Sequence, residues 1–287
     1  MSLNPAGTIR ATVLGPAGWF GHAILGGVAY CGGLAILALN TAGMAIRPWL
    51  LLQLPDCERR LFQETVHQLS WMLAMGLPLV GLVHIGMGSF LALQAYYGST
   101  FVDGTGAVVG VGLIRNIAPM MACHVLGFLL SIRIVTEFHL RKRAGDDQET
   151  SVERAVAARL IAAMIAGVIL SIWGAVVGTV VGWGVSGTVL GVTTHSFFRM
   201  FWEMLWALDV IGVFVKGVGF TLVAALFACN EGLRLSPDAD YGETAAAACR
   251  AACLGALGML VLNSAWFILF YHARTAFGPT LLKPPLT

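Results

Sequence analysis

Three strongly polar side chains stand where the surrounding sequence is hydrocarbon-like. Arg115 and Asn116 lie in AVVGVGLIRNIAPMMACHVLGFLLSIRIVTEFHLRKR (107–143), and Lys216 lies in LDVIGVFVKGVGFTLVAALFACNEG (208–232). A charge inside such a run costs about 2.5–3.5 kcal/mol on insertion scales, so it persists only with a partner or a function. Arg115 and Asn116 either cap the helix that Pro119 interrupts or offer a polar group to a ligand. Lys216 either snorkels its ammonium to the interface or does the same. His84 and His124, on successive apolar runs, are either interhelical hydrogen-bond partners or the two axial ligands of a haem in a membrane cytochrome. The basic stretch from Leu140 to Arg159 is either a solvated face or a docking surface for a cytosolic partner.

Other chemistries are missing. The lysines are Lys142, Lys216 and Lys283, and none follows a glycine loop of the GxxxxGK[ST] kind, so the chain is not its own P-loop ATPase. There is no GxSxG nucleophile elbow and no HExxH zinc helix. The six cysteines show no CxxC or zinc spacing and read as small apolar packing residues. A net charge of +2 is too small to argue for nucleic acid.

The elements that must position these residues are membrane helices. Hydrophobic residues make up 57% of the chain, charged ones 11%, and the mean hydropathy is +0.80, against about 25% charged residues in a soluble domain. The 35 glycines suit helices packed backbone to backbone in lipid. Residues 1–15 read as a tail, and Pro16 to Ile46 as an interfacial helix or a span. Arg47 to Gln68 is a charged approach. Apolar runs then cover Leu69 to Gln94, Pro119 to Glu137, Leu160 to Trp183, Leu208 to Cys229 and Ala245 to Tyr271. Turn formers mark Tyr96 to Gly106 and Gly184 to Thr194 as loops. His139 to Arg159 holds Arg141, Lys142, Arg143, Arg154 and Arg159, which makes that side cytoplasmic. Its later part, Thr150 to Leu160, has the spacing of a short helix, with Asp146, Asp147 and Glu149 near its N-terminus. His195 to Trp206 predicts an interfacial helix with Phe197, Phe198, Phe201, Trp202, Leu205 and Trp206 on one side and Arg199 and Glu203 opposite. The expected architecture is an all-α integral membrane protein. A tail, interfacial helix and charged approach occupy 1–68, about five transmembrane helices and a short cytoplasmic coupling helix occupy 69–272, and a second tail occupies 273–287.

Four stretches, in order, resemble the MlaE/YrbE permeases of MCE-associated ABC transporters. GLVHIGMGSFLALQAYY (81–97) is similar to the family's glycine-rich span ending in LQxY, and GVGLIRNIAPMMA (110–122) to its LLREIGPVLTA signature. IRIVTE (132–137) resembles the MRVTE that enters the coupling helix. LDVIGVFVKGVGFTLVAALFACNEG (208–232), with RAACLGALGMLVLNSAWF (250–267), resembles the DxxxxxxKSxxFG…NG segment and closing helix. The family's acids are replaced by Asn116 and Asn263, and its AGRxGSA segment is not recognisable in HVLGFLLSIR.

The resemblance implies five spans plus an amphipathic N-terminal helix, in a multi-pass protein of the bacterial inner membrane. It implies a second permease chain, a cytoplasmic ABC ATPase that binds ATP and Mg, and an MCE-domain protein in the periplasm or envelope. No cofactor is implied in this chain. The substrate would be a phospholipid or another hydrophobic lipid. An amphiphile needs an apolar hollow for its tails and polar groups for its headgroup. Gln94, Tyr96, Arg115, Asn116 and Lys216 are the candidates for the latter. Glu137, Arg141, Arg143, Glu153 and Arg154 are the candidates for contact with the ATPase. A non-transporting structural partner subunit is the alternative that Asn116 and Asn263 favour.

Overall fold

In lipid a backbone has no water to bond, so an apolar run must satisfy its own amides as a helix. The computed structural model, described over 16–50, 55–98, 106–145 and 149–272, is built almost wholly that way. The two tails, the tip of the loop after Gly98, and Asp146 and Asp147 lie outside the described residues. The helices are α1 (Pro16–Leu50), α2 (Pro55–Gly98), α3 (Ala118–Arg143), α4 (Glu149–Thr188), α5 (Thr194–Met204), α6 (Ala207–Arg234) and α7 (Tyr241–Phe267). Six of them are long and apolar enough to cross a membrane: α1 and α2, α3 with the stretch before it, α4, α6 and α7. The sixth is α1, whose Ile24–Thr41 window raises the expected count of about five spans by one. It packs on α4 and on the basic end of α6, where Tyr30 stacks on Phe227 at 6.1 Å and Arg234 lies 4.8 Å from the Tyr30 ring.

Several boundaries move. Pro119 does not break the central run. Two π-helical segments, Gly106–Val111 and Leu113–Ile117, lead directly into α3, where Pro119 sits in the first turn. A proline there has no N–H to give the preceding turns, so a carbonyl before it must find another donor. At the other end α3 runs on to Arg143 and closes at Ala144, whose N–H bonds Leu140 O at 3.1 Å, with Gly145 at φ 74°. The short coupling helix expected near Thr150 is the first part of α4, a single helix of 40 residues. Nothing in its sequence stops it, since it holds no proline and Gly167, Gly174, Gly178 and Gly182 are packing positions.

Helix α2 packs along α4, and α6 packs on α3, α4 and α7. Small residues make the close seams: a Cβ on Gly88 would collide with Gly178 O, and one on Gly167 with Gly217 O. The core toward the basic end joins Met72, Leu126, Leu130, Ile134, Phe138, Leu160 and Leu170. A smaller one at the opposite end joins Leu91, Val109, Leu113, Val192 and Phe197.

Short helix α5 closes that second end. Thr193 caps it by accepting from Ser196 N at 3.2 Å. Phe197 and Phe201 turn inward, but Trp202 is 67% exposed, and Leu205 and Trp206 are extended residues beyond the helix, so the expected six-residue apolar side is narrower. Arg199 and Glu203 pair at 2.9 Å on the exposed side, as the spacing predicts.

Candidate functional site

Three elements converge at the mouth near α5. The π-helical stretch before α3 carries Arg115 and Asn116, the first turns of α6 carry Asp209 and Lys216, and a third π-helical segment, Ile268–His272, after α7 carries Tyr271. Asp209 is fully buried. Its carboxylate accepts two bonds from the Arg115 guanidinium, at 2.7 and 2.9 Å, one from Trp206 N at 3.0 Å, and one from the Tyr271 hydroxyl. Buried carboxylates persist when every lone pair is used in this way. Arg115 also lies 5.3 Å from the ring centroids of both Trp206 and Tyr271, which stack on each other at 6.2 Å.

Lys216 is 2% exposed and does not snorkel. Its Nζ donates to Arg115 O at 2.9 Å and to Asn116 Oδ1 at 3.5 Å, and sits 4.3 Å from the Phe267 ring centroid. The proline explains this acceptor. In an α-helical register the donor to Arg115 O would be the amide of residue 119, and Pro119 has none. Lys216 supplies the proton that the proline withholds.

Thus Arg115, Asn116 and Lys216 come together, although the first and last are held by protein partners. Gln94 is exposed and Tyr96 half-buried near the end of α2, where Tyr96 packs edge-on to Tyr97 at 5.1 Å. Neither makes a hydrogen bond with the Arg115 cluster among the described residues. Asp209, Trp206 and Tyr271 are the members that sequence reasoning missed. The spacing held a signal: Asp209 and Lys216 are seven residues apart, two helical turns on one face.

Beside the cluster, an apolar groove of about 410 Å³ runs between α4, α5 and α6. Ile114 forms its roof, next to Arg115, and Val176, Val180, Phe201, Val210 and Phe214 line its walls. Pockets for small molecules span about 300–1,000 Å³, so the groove has the size and the character to take an alkyl chain.

The histidines occupy packing positions. His84 is fully buried, with Nδ1 2.7 Å from Val80 O, and a Cβ on Gly174 would lie 2.7 Å from its Nε2. That leaves no room for a haem iron on this nitrogen. His124 keeps its Nδ1 2.7 Å from Met120 O on its own helix.

At the basic end a second cluster links α2, α3 and α4. Glu137 accepts from Arg133 Nε at 2.5 Å, Arg159 Nη2 at 2.5 Å and Gln68 Nε2 at 3.4 Å. Glu64 accepts from Arg141 at 3.0 Å and Arg159 at 3.3 Å. Arg159 is 1% exposed and is also tied to Ala155 O at 2.7 Å. These groups line a cavity of about 540 Å³. Lys142 turns the other way and caps α6, donating to Leu233 O and, at 2.9 Å, to Leu235 O. Of the residues expected to meet an ATPase, Glu137 and Arg141 belong to the cavity, Arg143 is exposed at the end of α3, and Glu153 and Arg154 are half-buried in the first turns of α4.

A bundle of long apolar helices with satisfied charge at each end is a multi-pass membrane protein. Residues 65–266 match the family described as permease MlaE. The chain belongs to that family, and so is the membrane subunit of a lipid transporter of the ABC class. No curated protein matches it.

Proposed function

We propose that this chain is the permease subunit of an MCE-type ABC transporter that moves a phospholipid or another hydrophobic lipid between the inner membrane and the envelope. A separate cytoplasmic ATPase binds ATP and Mg and supplies the energy, an MCE-domain protein receives or delivers the lipid, and a second permease chain completes the assembly. The observation that carries this reading is the apolar groove whose lining includes Ile114 and Val210, the sequence neighbours of Arg115 and Asp209. Tails rest against Val176, Val210 and Phe214, and the headgroup meets the part of Arg115 that its partners leave open, 30% of the side chain. Lys216 holds the backbone carbonyl of Arg115 and also donates to Asn116, and Gln94 and Tyr96 stay headgroup candidates through the family resemblance alone. Glu137, Arg141, Arg143, Glu153 and Arg154 lie at the end from which ATPase movement would enter.

The test fills the groove. Val176 lines it and is 51% exposed, so Val176→Trp adds bulk without disturbing the core. With the complex reconstituted in vesicles, labelled-lipid transfer should fall about tenfold, the equivalent of about 1.4 kcal/mol, with ATPase copurification unchanged. Unchanged transfer would overturn the reading. It would instead favour a structural partner subunit, which the locking of Arg115 onto Asp209 also suits.

A further inference from the structure

We propose that the cavity at the basic end binds the phosphate of an anionic phospholipid from the adjoining leaflet, as a site separate from the transport groove. Four arginines line it, Arg60, Arg133, Arg141 and Arg159, against two glutamates, Glu64 and Glu137. Both carboxylates are already engaged by Arg133, Arg141 and Arg159. The lining therefore keeps a positive surplus, to which the exposed Arg60 contributes. A guanidinium carries five N–H groups, so Arg133 and Arg141, each spending one on a glutamate, retain donors for a further acceptor. Gln63 and His67, both exposed, add polar atoms at the opening.

The level is that of lipid headgroups. The apolar run of α2 begins at Leu69, and Trp71, a residue type that favours the interface, carries the Arg133 guanidinium 4.1 Å from its ring centroid. The cavity opens from there toward the basic end, where anionic lipids attract cationic side chains. Its rim is apolar at Leu140, which lines it and is 56% exposed. An acyl chain covers that side chain while its phosphate meets the arginines. An acidic side chain of a cytosolic protein would answer the charge and leave it bare.

The experiment uses the full chain in detergent, followed by native mass spectrometry with phosphatidylglycerol and phosphatidylcholine of identical acyl chains, and with inorganic phosphate as competitor. The wild-type protein should retain phosphatidylglycerol preferentially. Arg60→Gln removes one cation, which is worth about fivefold in binding near a membrane surface, and should reduce the preference by that factor. Gln63→Glu, at an exposed position on the same rim, should reduce it comparably and guards against a folding defect in the first variant. Equal retention of the two lipids would overturn the proposal. So would displacement of phosphatidylglycerol by an equal concentration of inorganic phosphate, which would mark a site for free anions. Variants that keep the lipid preference but lose the ATPase on copurification would assign the cavity to that partner and overturn it as well. The groove is untouched by these substitutions, so its test succeeds or fails independently.

Discussion

Asp209 binds three parts of the chain with one carboxylate. Arg115, Trp206 and Tyr271 each lose their acceptor if it is removed, and the guanidinium is left beside apolar walls. Breaking a buried pair from one side costs about 3–5 kcal/mol, so Asp209→Asn should lower unfolding stability in detergent by that order. Replacing both partners together, Arg115→Met with Asp209→Leu, should recover the share that comes from the stranded guanidinium, while Trp206 N and the Tyr271 hydroxyl stay unpaired. A double variant as unstable as the sum of the single variants would show that the pair adds no more than two separate contacts. The polar residues of this site were legible in sequence as costly exceptions within apolar runs. Their pairing was not, because Arg115 and Asp209 lie 94 positions apart and only the packing of α6 against the π-helical stretch brings them together. Lys216 shows the same limit. Its charge was visible, but its role as a stand-in for the amide that Pro119 lacks depends on a helix crossing.

At the level of elements, long apolar runs gave the helices and the boundaries shifted. The proline and the glycines around 106–119 suggested an interruption, whereas the chain answers with wider π turns that keep the segment helical. Such turns are uncommon and concentrate where function needs an irregular backbone. Pro119→Ala restores the missing donor, so Arg115 O gains an amide and Lys216 loses its need to serve it. We expect the preceding turns to tighten and the side chains before Ile117 to rotate. Thiol labelling of an Ile114→Cys reporter should therefore change in the proline variant, and an unchanged labelling rate would mean that the neighbouring helices alone set the π geometry. The coupling helix was misjudged for a different reason. Charge marked Thr150 to Leu160 as cytoplasmic, and charge says nothing about whether a helix ends before it enters the membrane.

Across the whole molecule, seams of glycine decide which helices move together. Where Gly88 meets Gly178, the backbones of α2 and α4 touch, and Gly88→Leu has no room without separating them. That substitution should cost more than about 3 kcal/mol by overpacking, read as loss of folded, monodisperse protein on size-exclusion chromatography. Survival of the variant at wild-type yield would show that the two helices separate easily. Composition made the class of the molecule plain, and four short stretches made the family plain. The partnership of particular helices came only from the fold, because glycine content reports that close contacts exist and not between whom. The three-way hold on Asp209 has a further bearing on how the chain is made. Its arginine is synthesised early, while its tyrosine arrives 62 residues after the aspartate, in the turn that follows the final helix. Until that tyrosine is made the carboxylate is one donor short, so the hold on Asp209 is completed only after the last long helix has been synthesised.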